Sequence, residues 1–272
     1  MSDVALGGGR WTVEAVSSPA PGKDQDAVLV APDFVAVADG STPMADAGGV
    51  DVRAFAEKAL ADLAGARERP VEEMFRSALE RADRAPSVEL GGSCTVGLVR
   101  TLEDEIEAAL LGDCLIVAAG EAGTEVVEDE RLEPYDLEVA HRIADAYRAG
   151  EPEPTRLPEV LADLRRHRSL ANREDTYWLF AGDPRAADHV LSRRLDPRAG
   201  AILLCSDGFA RLVEPLRVVR DHRELVERAL DRGLESLADE LRAAEAEDGS
   251  MVRAPRLSVH DDASAVLLRR AG

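Results

Sequence analysis

The chain has 272 residues, of which 45% are hydrophobic and 32% are charged, a balance typical of a globular protein with a core. Its 53 acidic residues outnumber 33 basic ones, and the formal net charge of -20 argues against binding to nucleic acid or anionic membranes. The sequence shows no secretion signal and no apolar stretch of about 18 residues, so we predict a cytoplasmic protein. The three cysteines lie within apolar runs and are predicted to be buried core residues: Cys94, Cys114 and Cys205.

The first third of the chain predicts strands followed by two helices. The predicted strands lie at residues 11–16, 27–31 and 34–38, and the last two form a hairpin. After a segment of glycine, serine and proline at 40–49, helical spacing begins at Val52, and Pro70 opens a second helix.

The remainder predicts an antiparallel meander, a charged helical segment, and a final group of strands and helices. The meander strands lie at 93–100, 106–111, 115–119 and 124–127, and later strands at 176–180, 201–205 and 263–268. Helices are predicted at 224–229 and 234–244. We interpret residues 133–172 as a surface insertion, like a flap, in a single domain spanning residues 1–272. Strands in two clusters with helices in pairs indicate an α+β sandwich of two mainly antiparallel sheets.

Aspartates stand at the ends of several predicted strands: Asp26, Asp39, Asp113, Asp207 and Asp261. One Asp-Gly pair after a strand is usually a turn, but several strand ends in adjacent sheets can converge on one mouth. Converging carboxylates repel each other and need cations. Oxygen ligands without clustered histidine or cysteine favour magnesium or manganese over zinc. Two such ions can activate water and bind phosphoryl oxygens, so the pattern indicates hydrolytic phosphoryl transfer.

Six short motifs follow one another along nearly the whole chain. They are Asp24-Gln25-Asp26-Ala27, Val37-Ala38-Asp39-Gly40, Gly92-Ser93-Cys94-Thr95, Leu111-Gly112-Asp113, Cys205-Ser206-Asp207-Gly208 and Asp261-Asp262-Ala263-Ser264. This order resembles the metal-dependent type 2C (PPM) protein phosphatases, especially their short bacterial members. The resemblance implies a central β-sandwich flanked by pairs of helices. It also implies hydrolysis of phosphoserine or phosphothreonine in proteins by a dimetal-activated water, without a phosphoenzyme.

The resemblance also implies roles for four residues in the catalytic metal centre. Asp39 matches the carboxylate that bridges two Mn²⁺ or Mg²⁺ ions, and Gly40 matches the residue whose carbonyl binds the second ion. Asp207 and Asp261 match ligands of the first ion.

Further positions of the same site are implied at its edge. Asp26 matches a catalytic acid that holds the waters around the ions. Gln25, beside it, can supply only a carbonyl oxygen. Asp113 matches the ligand of a third, weaker ion, although Cys114 and Leu115 follow where the family has serine and arginine.

The groups expected to bind phosphate and protonate the leaving group depart from the family pattern. The family often has arginine five residues before Asp26, where this chain has Pro21. Lys23 is the predicted phosphate-binding substitute, and Arg10 is an alternative. Ser41 stands where the family often has histidine, so general acid catalysis must come from elsewhere.

Alternative functions stay open at this stage. The same ions could serve a phosphatase of a small phosphorylated metabolite, or the chain could be a catalytically silent phosphatase-like binding or regulatory module. A phosphatase with an aspartate nucleophile is disfavoured, because its second aspartate would fall at Ser41. The basic run at 165–168 is interpreted as a solvated helix face, or as a surface that attracts the acidic flank of a phosphopeptide. We expect phosphorylated protein substrates, no nucleic-acid or membrane partner, and a monomer.

Overall fold

The structure is a computed structural model that describes residues 10–43, 51–82, 92–103 and 105–271, and the backbone of 4–6. Its strands are β1 (Val4–Leu6), β2 (Trp11–Ser18), β3 (Ala27–Val30), β4 (Phe34–Gly40), β5 (Cys94–Thr101), β6 (Ile106–Leu111), β7 (Leu115–Gly120), β8 (Gly123–Val127), β9 (Leu191–Leu195), β10 (Ala201–Cys205) and β11 (Ala263–Arg270). Its α-helices are α1 (Val52–Ala64), α2 (Val71–Arg81), α3 (Glu133–Arg148), α4 (Pro158–Arg168), α5 (Asp207–Ala210), α6 (His222–Arg232) and α7 (Leu234–Glu247).

The strands form two sheets in which every pair is antiparallel. The first sheet has the order β1-β2-β11-β10-β7-β8, and the second has the order β3-β4-β5-β6-β9. The predicted sandwich of antiparallel sheets is therefore confirmed.

Apolar residues form three layers, because side chains alternate between the two faces of each strand. On β4, Val35 and Val37 face the other sheet, whereas Phe34 and Ala36 face the helices α1 and α2. The helices α6 and α7 cover the outer face of the first sheet. This arrangement places a pair of helices on each side of the sandwich, as the resemblance implied.

The helices form where apolar residues recur at helical spacing. In α2, Met74, Phe75, Ala78 and Leu79 make one buried face. In α6, the side chain of Asp221 accepts a hydrogen bond from the backbone N–H of Glu224 and caps the first turn. Within the described ranges, no helix has the length and apolar character needed to cross a membrane.

One predicted strand is wrong, and two strands, β1 and β9, were not predicted. Residues 176–180 are an apolar run, but only Phe180 pairs, in an isolated bridge with Cys94. The side-chain oxygen of Asn172 accepts a hydrogen bond from the backbone N–H of Leu179 at 2.7 Å. That N–H is therefore not available to pair with a neighbouring strand. The strand β9 pairs with β6, but its three exposed polar residues hide the alternation that would have indicated it.

All three cysteines are buried and free, as predicted from their apolar surroundings.

Candidate functional site

The pairing of β3 with β4 brings two of the predicted aspartates together. Ala27 pairs with Ala38, so Asp26, which precedes β3, lies beside Asp39 at the end of β4. Because Asp39 follows Val35 and Val37 at intervals of two residues, it lies on the inner face of its sheet.

The other sheet supplies two more aspartates at the same edge of the sandwich. Asp207 lies two residues after the end of β10, and Asp261 lies two residues before the start of β11, the neighbouring antiparallel strand. Asp113 lies in the turn that leads from β6 to β7, across from one sheet to the other. The sequence prediction that strand ends converge here is consistent with this topology.

Two glycines allow the strand ends to approach each other closely. A Cβ on Gly40 would lie 2.6 Å from the backbone oxygen of Gln25, and one on Gly208 would lie 1.9 Å from the backbone oxygen of Asp262. Neither position can accept a side chain without movement of the backbone. The glycines of both Asp-Gly pairs are therefore required for packing around the site.

These residues line a cavity of about 270 Å³. The predicted residues on its wall are Lys23, Asp39, Gly40, Asp113, Asp207 and Asp261. Asp136 and Arg168, which come from α3 and α4, also line it, together with Tyr177. The helical segment predicted as a surface insertion thus forms part of the cavity wall.

Asp26 lies behind this wall with its charge uncompensated. The residue is 1% exposed, and neither carboxylate oxygen has a hydrogen-bond partner among the described residues. Burial, together with the charges of Asp262, Asp207 and Asp261, raises the pKa of Asp26 to about 7, although the nearby hydroxyl of Ser264 acts to lower it. A cation near these carboxylates would relieve both effects.

The same physical causes act on other carboxylates of the cavity. Burial, followed by the charges of Asp26 and Asp207, raises the pKa of Asp39 well above its usual range. Burial and the charges of Asp207 and Asp136 do the same to the pKa of Asp113. The wall of the cavity therefore carries more carboxylate charge than its surroundings neutralise.

Asp261 differs because two basic side chains bind it. Nη2 of Arg211 lies 2.6 Å from its Oδ2, and Nζ of Lys23 lies 3.3 Å from its Oδ1. Burial works against ionisation of Asp261, but these two cations outweigh it and hold its pKa below the ordinary value. Lys23 thus occupies the cavity where a phosphate-binding residue was predicted, although its partner in this structure is a carboxylate.

Arg211 is itself held by a buried acidic residue of α7. Glu245 is fully buried, and its Oε1 lies 3.5 Å from Nη1 of Arg211. Its other oxygen accepts hydrogen bonds from Arg242 at 2.7 Å and His260 at 2.8 Å. This network fixes the position of the Arg211 guanidinium against Asp261.

The backbone around Gln25 is fixed from the opposite strand. The carboxylate of Asp262 accepts the N–H of Ala20 and the N–H of Gln25, each at 2.7 Å. The side-chain oxygen of Gln25 accepts a hydrogen bond from the hydroxyl of Thr42 at 2.7 Å. Gln25 therefore adjoins the cavity wall, with its amide oxygen engaged by Thr42.

The interpretation of Arg10 is wrong, and the interpretation of the run at 165–168 as a solvated face holds only in part. Arg10 precedes β2, whose residue Trp11 pairs with Arg270 at the far end of β11, so Arg10 lies away from the aspartates. It donates to the carbonyls of Leu102 and Glu103. The run at 165–168 is not wholly a solvated face, because Arg168 lines the cavity and His167 is buried.

Three residues of the site were missed by the sequence analysis: Asp136, Arg168 and Arg211. Asp136 and Arg168 belong to a charged helical stretch in which no single residue is distinguished by its neighbours. Arg211 follows Asp207 by one helical turn, which places both on one face of α5 and its extension. That spacing is the one signal that could have identified it.

The side chains around the cavity fit the predicted divalent ions in part. Within the ranges given above, no three histidine, cysteine or acidic side chains converge on one point closely enough to hold an ion. Asp261 is engaged by Arg211 and Lys23, so ion binding would require side chains to rearrange. The orphaned oxygens of Asp26 and the raised pKa of Asp39 nevertheless fit a hard cation, because carboxylate oxygens are its preferred ligands.

Comparison with known proteins gave results only at the level of structure. No family model matches the sequence, and no curated protein matches it. Solved structures match over almost the full length of both chains. The chain has the fold of bacterial serine/threonine phosphatases.

The structure of Stp1 from Staphylococcus aureus matches with a TM-score of 0.57 and 14% identity, over 100% of this chain and 99% of that one. The PPM phosphatase MsPP from Mycobacterium smegmatis, in complex with cacodylate, gives 0.52 and 18%, over 95% and 98%. The catalytic domain of PstP, in complex with 2 manganese ions, gives 0.55 and 15%, over 96% and 99%. These matches confirm the fold that the six motifs implied.

Proposed function

We propose that the chain is a metal-dependent phosphatase that hydrolyses phosphoserine and phosphothreonine in proteins. The observation that carries the proposal is the convergence of Asp39, Asp113, Asp207 and Asp261 on one cavity, with the unpaired carboxylate of Asp26 behind it. So much buried negative charge is costly unless cations compensate it. The fold, shared with serine/threonine phosphatases, supports the choice of reaction.

In this proposal the cavity holds two Mn²⁺ or Mg²⁺ ions. Asp39 and the carbonyl of Gly40 would hold one ion, and Asp39, Asp207 and Asp261 would hold the other. Asp113 would contribute to a third, weaker site. PstP, whose fold the chain shares, was solved in complex with 2 manganese ions, which supports the proposal of two ions.

Bound divalent ions supply the charge that neutralises phosphoryl oxygens and lower the pKa of a water that attacks phosphorus directly. The chain itself contributes orientation and charge. Asp26, buried beside Asp39, would accept hydrogen bonds from ordered water, which its two unpaired oxygens are free to do. Lys23 would exchange Asp261 for a phosphate oxygen, because both are anions within reach of its flexible side chain.

A silent binding module is the alternative that one observation favours. Arg211 and Lys23 both bind Asp261 and so neutralise a predicted metal ligand without any ion. In that case the cavity would keep its shape but would not turn over substrate. The surface insertion at 133–172, the monomeric state and the cytoplasmic location stay predictions.

The test is release of phosphate from p-nitrophenyl phosphate and from a phosphoserine peptide, with and without manganese. We expect manganese-stimulated release by the wild type and a loss of at least 100-fold in Asp39→Asn, since removal of a transition-state charge partner costs about 3 kcal/mol. Asp231→Asn is the control, because its side chain is 83% exposed.

The outcomes separate the alternatives. No release by the wild type at millimolar manganese, with no effect of Asp39→Asn, would refute the proposal and favour the silent module. Release from a panel of phosphorylated metabolites, but not from phosphopeptides, would assign a small-molecule substrate.

A further inference from the structure

Arg168 is the last residue of α4 and lines the same cavity as Asp39 and Asp207. The basic residues on the described part of the cavity wall are Lys23, His167 and Arg168. Lys23 is bound to Asp261, and Nε2 of His167 lies 3.2 Å from a carboxylate oxygen of Glu138.

The guanidinium of Arg168 hydrogen-bonds a neutral group, and the charge of Asp136 acts on it only from beyond ion-pair distance. Its Nη1 donates a hydrogen bond to the carbonyl of Thr42, and among the described residues no carboxylate lies within 4.0 Å of it. Its neighbour Arg166 pairs with Glu138 at 2.9 Å and with Asp163 at 3.4 Å. In a chain with a net charge of -20, a basic side chain on a cavity wall without an ion-pair partner is informative.

The partial burial of Arg168 is a second indication that its guanidinium binds an anion. Arg168 is half-buried, and burial lowers its pKa, an effect that the charges of Tyr177 and Asp136 partly oppose. A guanidinium keeps its charge in proteins, so this residue pays a desolvation cost in the free protein that an anion would offset.

The residue before Arg168 is held in place at the end of α4. The hydroxyl of Tyr177 donates to the carbonyl of His167 at 2.9 Å, and the ring of Tyr135 contacts both of these residues. Arg168 therefore presents its donors to the cavity from a fixed helix end, which reduces the entropy lost when a ligand binds.

We propose that Arg168 binds the phosphoryl group of the substrate. The proposal rests on the proposed function and adds to it a residue from the segment predicted as an insertion. A guanidinium offers several N–H donors in a planar fork that matches phosphate oxygens, and Nη1 already uses one of them on Thr42. Lys23 and Arg168 would then supply charge from two parts of the cavity wall, the loop before β3 and the end of α4.

The test compares Arg168→Ala, Arg168→Lys and Arg165→Ala in the full chain. Arg165 lies one turn earlier on the same helix and is exposed, so it is a matched control. The probe is inorganic phosphate, titrated calorimetrically into protein saturated with manganese, and used as an inhibitor of p-nitrophenyl phosphate hydrolysis. Denaturant unfolding of each variant checks that it is folded.

We expect Arg168→Ala to weaken phosphate binding, and to raise KM for p-nitrophenyl phosphate, by about tenfold to a hundredfold, the usual effect of a charged hydrogen bond. The phosphate affinity and KM of Arg168→Lys should lie between those of Arg168→Ala and those of the wild type. Arg165→Ala should match the wild type in both quantities. The affinity for manganese should be the same in all four proteins.

Unchanged phosphate affinity in Arg168→Ala, an equal loss in Arg165→Ala, or no phosphate binding by the wild type would overturn this inference. If Arg168→Ala is unfolded, Arg168→Lys alone decides, and wild-type phosphate affinity in that variant contradicts binding through the guanidinium. Phosphate binding that depends on Arg168, in a wild type that hydrolyses no phosphoester, would support this inference while the proposed function fails.

Discussion

Nη2 of Arg211 lies 2.6 Å from Oδ2 of Asp261, and Glu245 binds the same guanidinium from α7. Arg211 is therefore a cation built into a cluster of carboxylates. It explains why the pKa of Asp261 is lowered, whereas the pKa of Asp39 and that of Asp113 are raised. The site consists of one carboxylate that the chain itself neutralises and several that it does not.

Replacement of Arg211 by methionine should destabilise the protein by about 3 kcal/mol in the presence of a chelator, because it leaves buried carboxylates without a partner. Manganese should restore more stability to this variant than to the wild type, since an ion can take over the lost charge. The measurement is the free energy of unfolding in urea with and without manganese.

The control for that experiment is Arg256→Met. Arg256 forms a buried ion pair with Asp248 at 2.9 Å, and neither residue lines the cavity. Arg256→Met should lose a similar free energy of unfolding. Manganese should stabilise this variant only as much as it stabilises the wild type. An equal manganese effect in both variants would show that Arg211 does not act on the cation site.

The stability of the metal-free protein should fall as the pH rises from about 5 to about 8. The pKa of Asp26 is raised to about 7 in the folded state, so the folded protein holds a proton that the unfolded chain releases near the ordinary aspartate pKa of 3.8. Stability from this group is present below the unfolded pKa and is lost as the pH rises through the folded one. The slope is at most about 1.4 kcal/mol per pH unit for each such group.

Asp26→Asn should remove its share of that slope, because asparagine has no proton to release. Unfolding in urea at several pH values, with a chelator present, gives the slope for both proteins. A wild type whose stability rises over this range, or a slope unchanged in Asp26→Asn, would show that the carboxyl group is not buried as described.

Gly208→Ala should destabilise the protein by about 3 kcal/mol. Its Cβ would lie 1.9 Å from the backbone oxygen of Asp262, and the backbone cannot move aside as a flexible side chain could. Gly200→Ala is the control, since the nearest atom to its Cβ is 3.8 Å away. Thermal unfolding of the two variants should separate them clearly, and equal melting temperatures would argue against the close approach.

Much of the fold could be predicted from the sequence because its strands alternate and end at turn residues. The aspartates were predicted to meet because each ends or begins an apolar strand, and strand ends share an edge. The segment 176–180 was assigned wrongly because an apolar run does not show that Asn172 binds its backbone. The apolar run itself carries no information about the side chain of a residue seven positions away.

The site also depends on contacts that the sequence pattern does not show. The contact of Arg211 with Asp261 joins residues fifty positions apart, and it depends on Glu245 from a third element. The place of Arg168 on the cavity wall depends on how α4 ends against the sandwich. Neither spacing nor composition distinguishes these arginines from the many others that pair with acids on the surface.

The central claim is that the aspartate cavity binds divalent cations, and calorimetric titration of manganese into the chelator-treated protein tests it most directly. The account predicts saturable binding by the wild type and by Asp231→Asn, and a loss of at least tenfold in affinity in both Asp39→Asn and Asp207→Asn. The absence of binding at millimolar manganese, or binding unchanged in both of these variants, would contradict it.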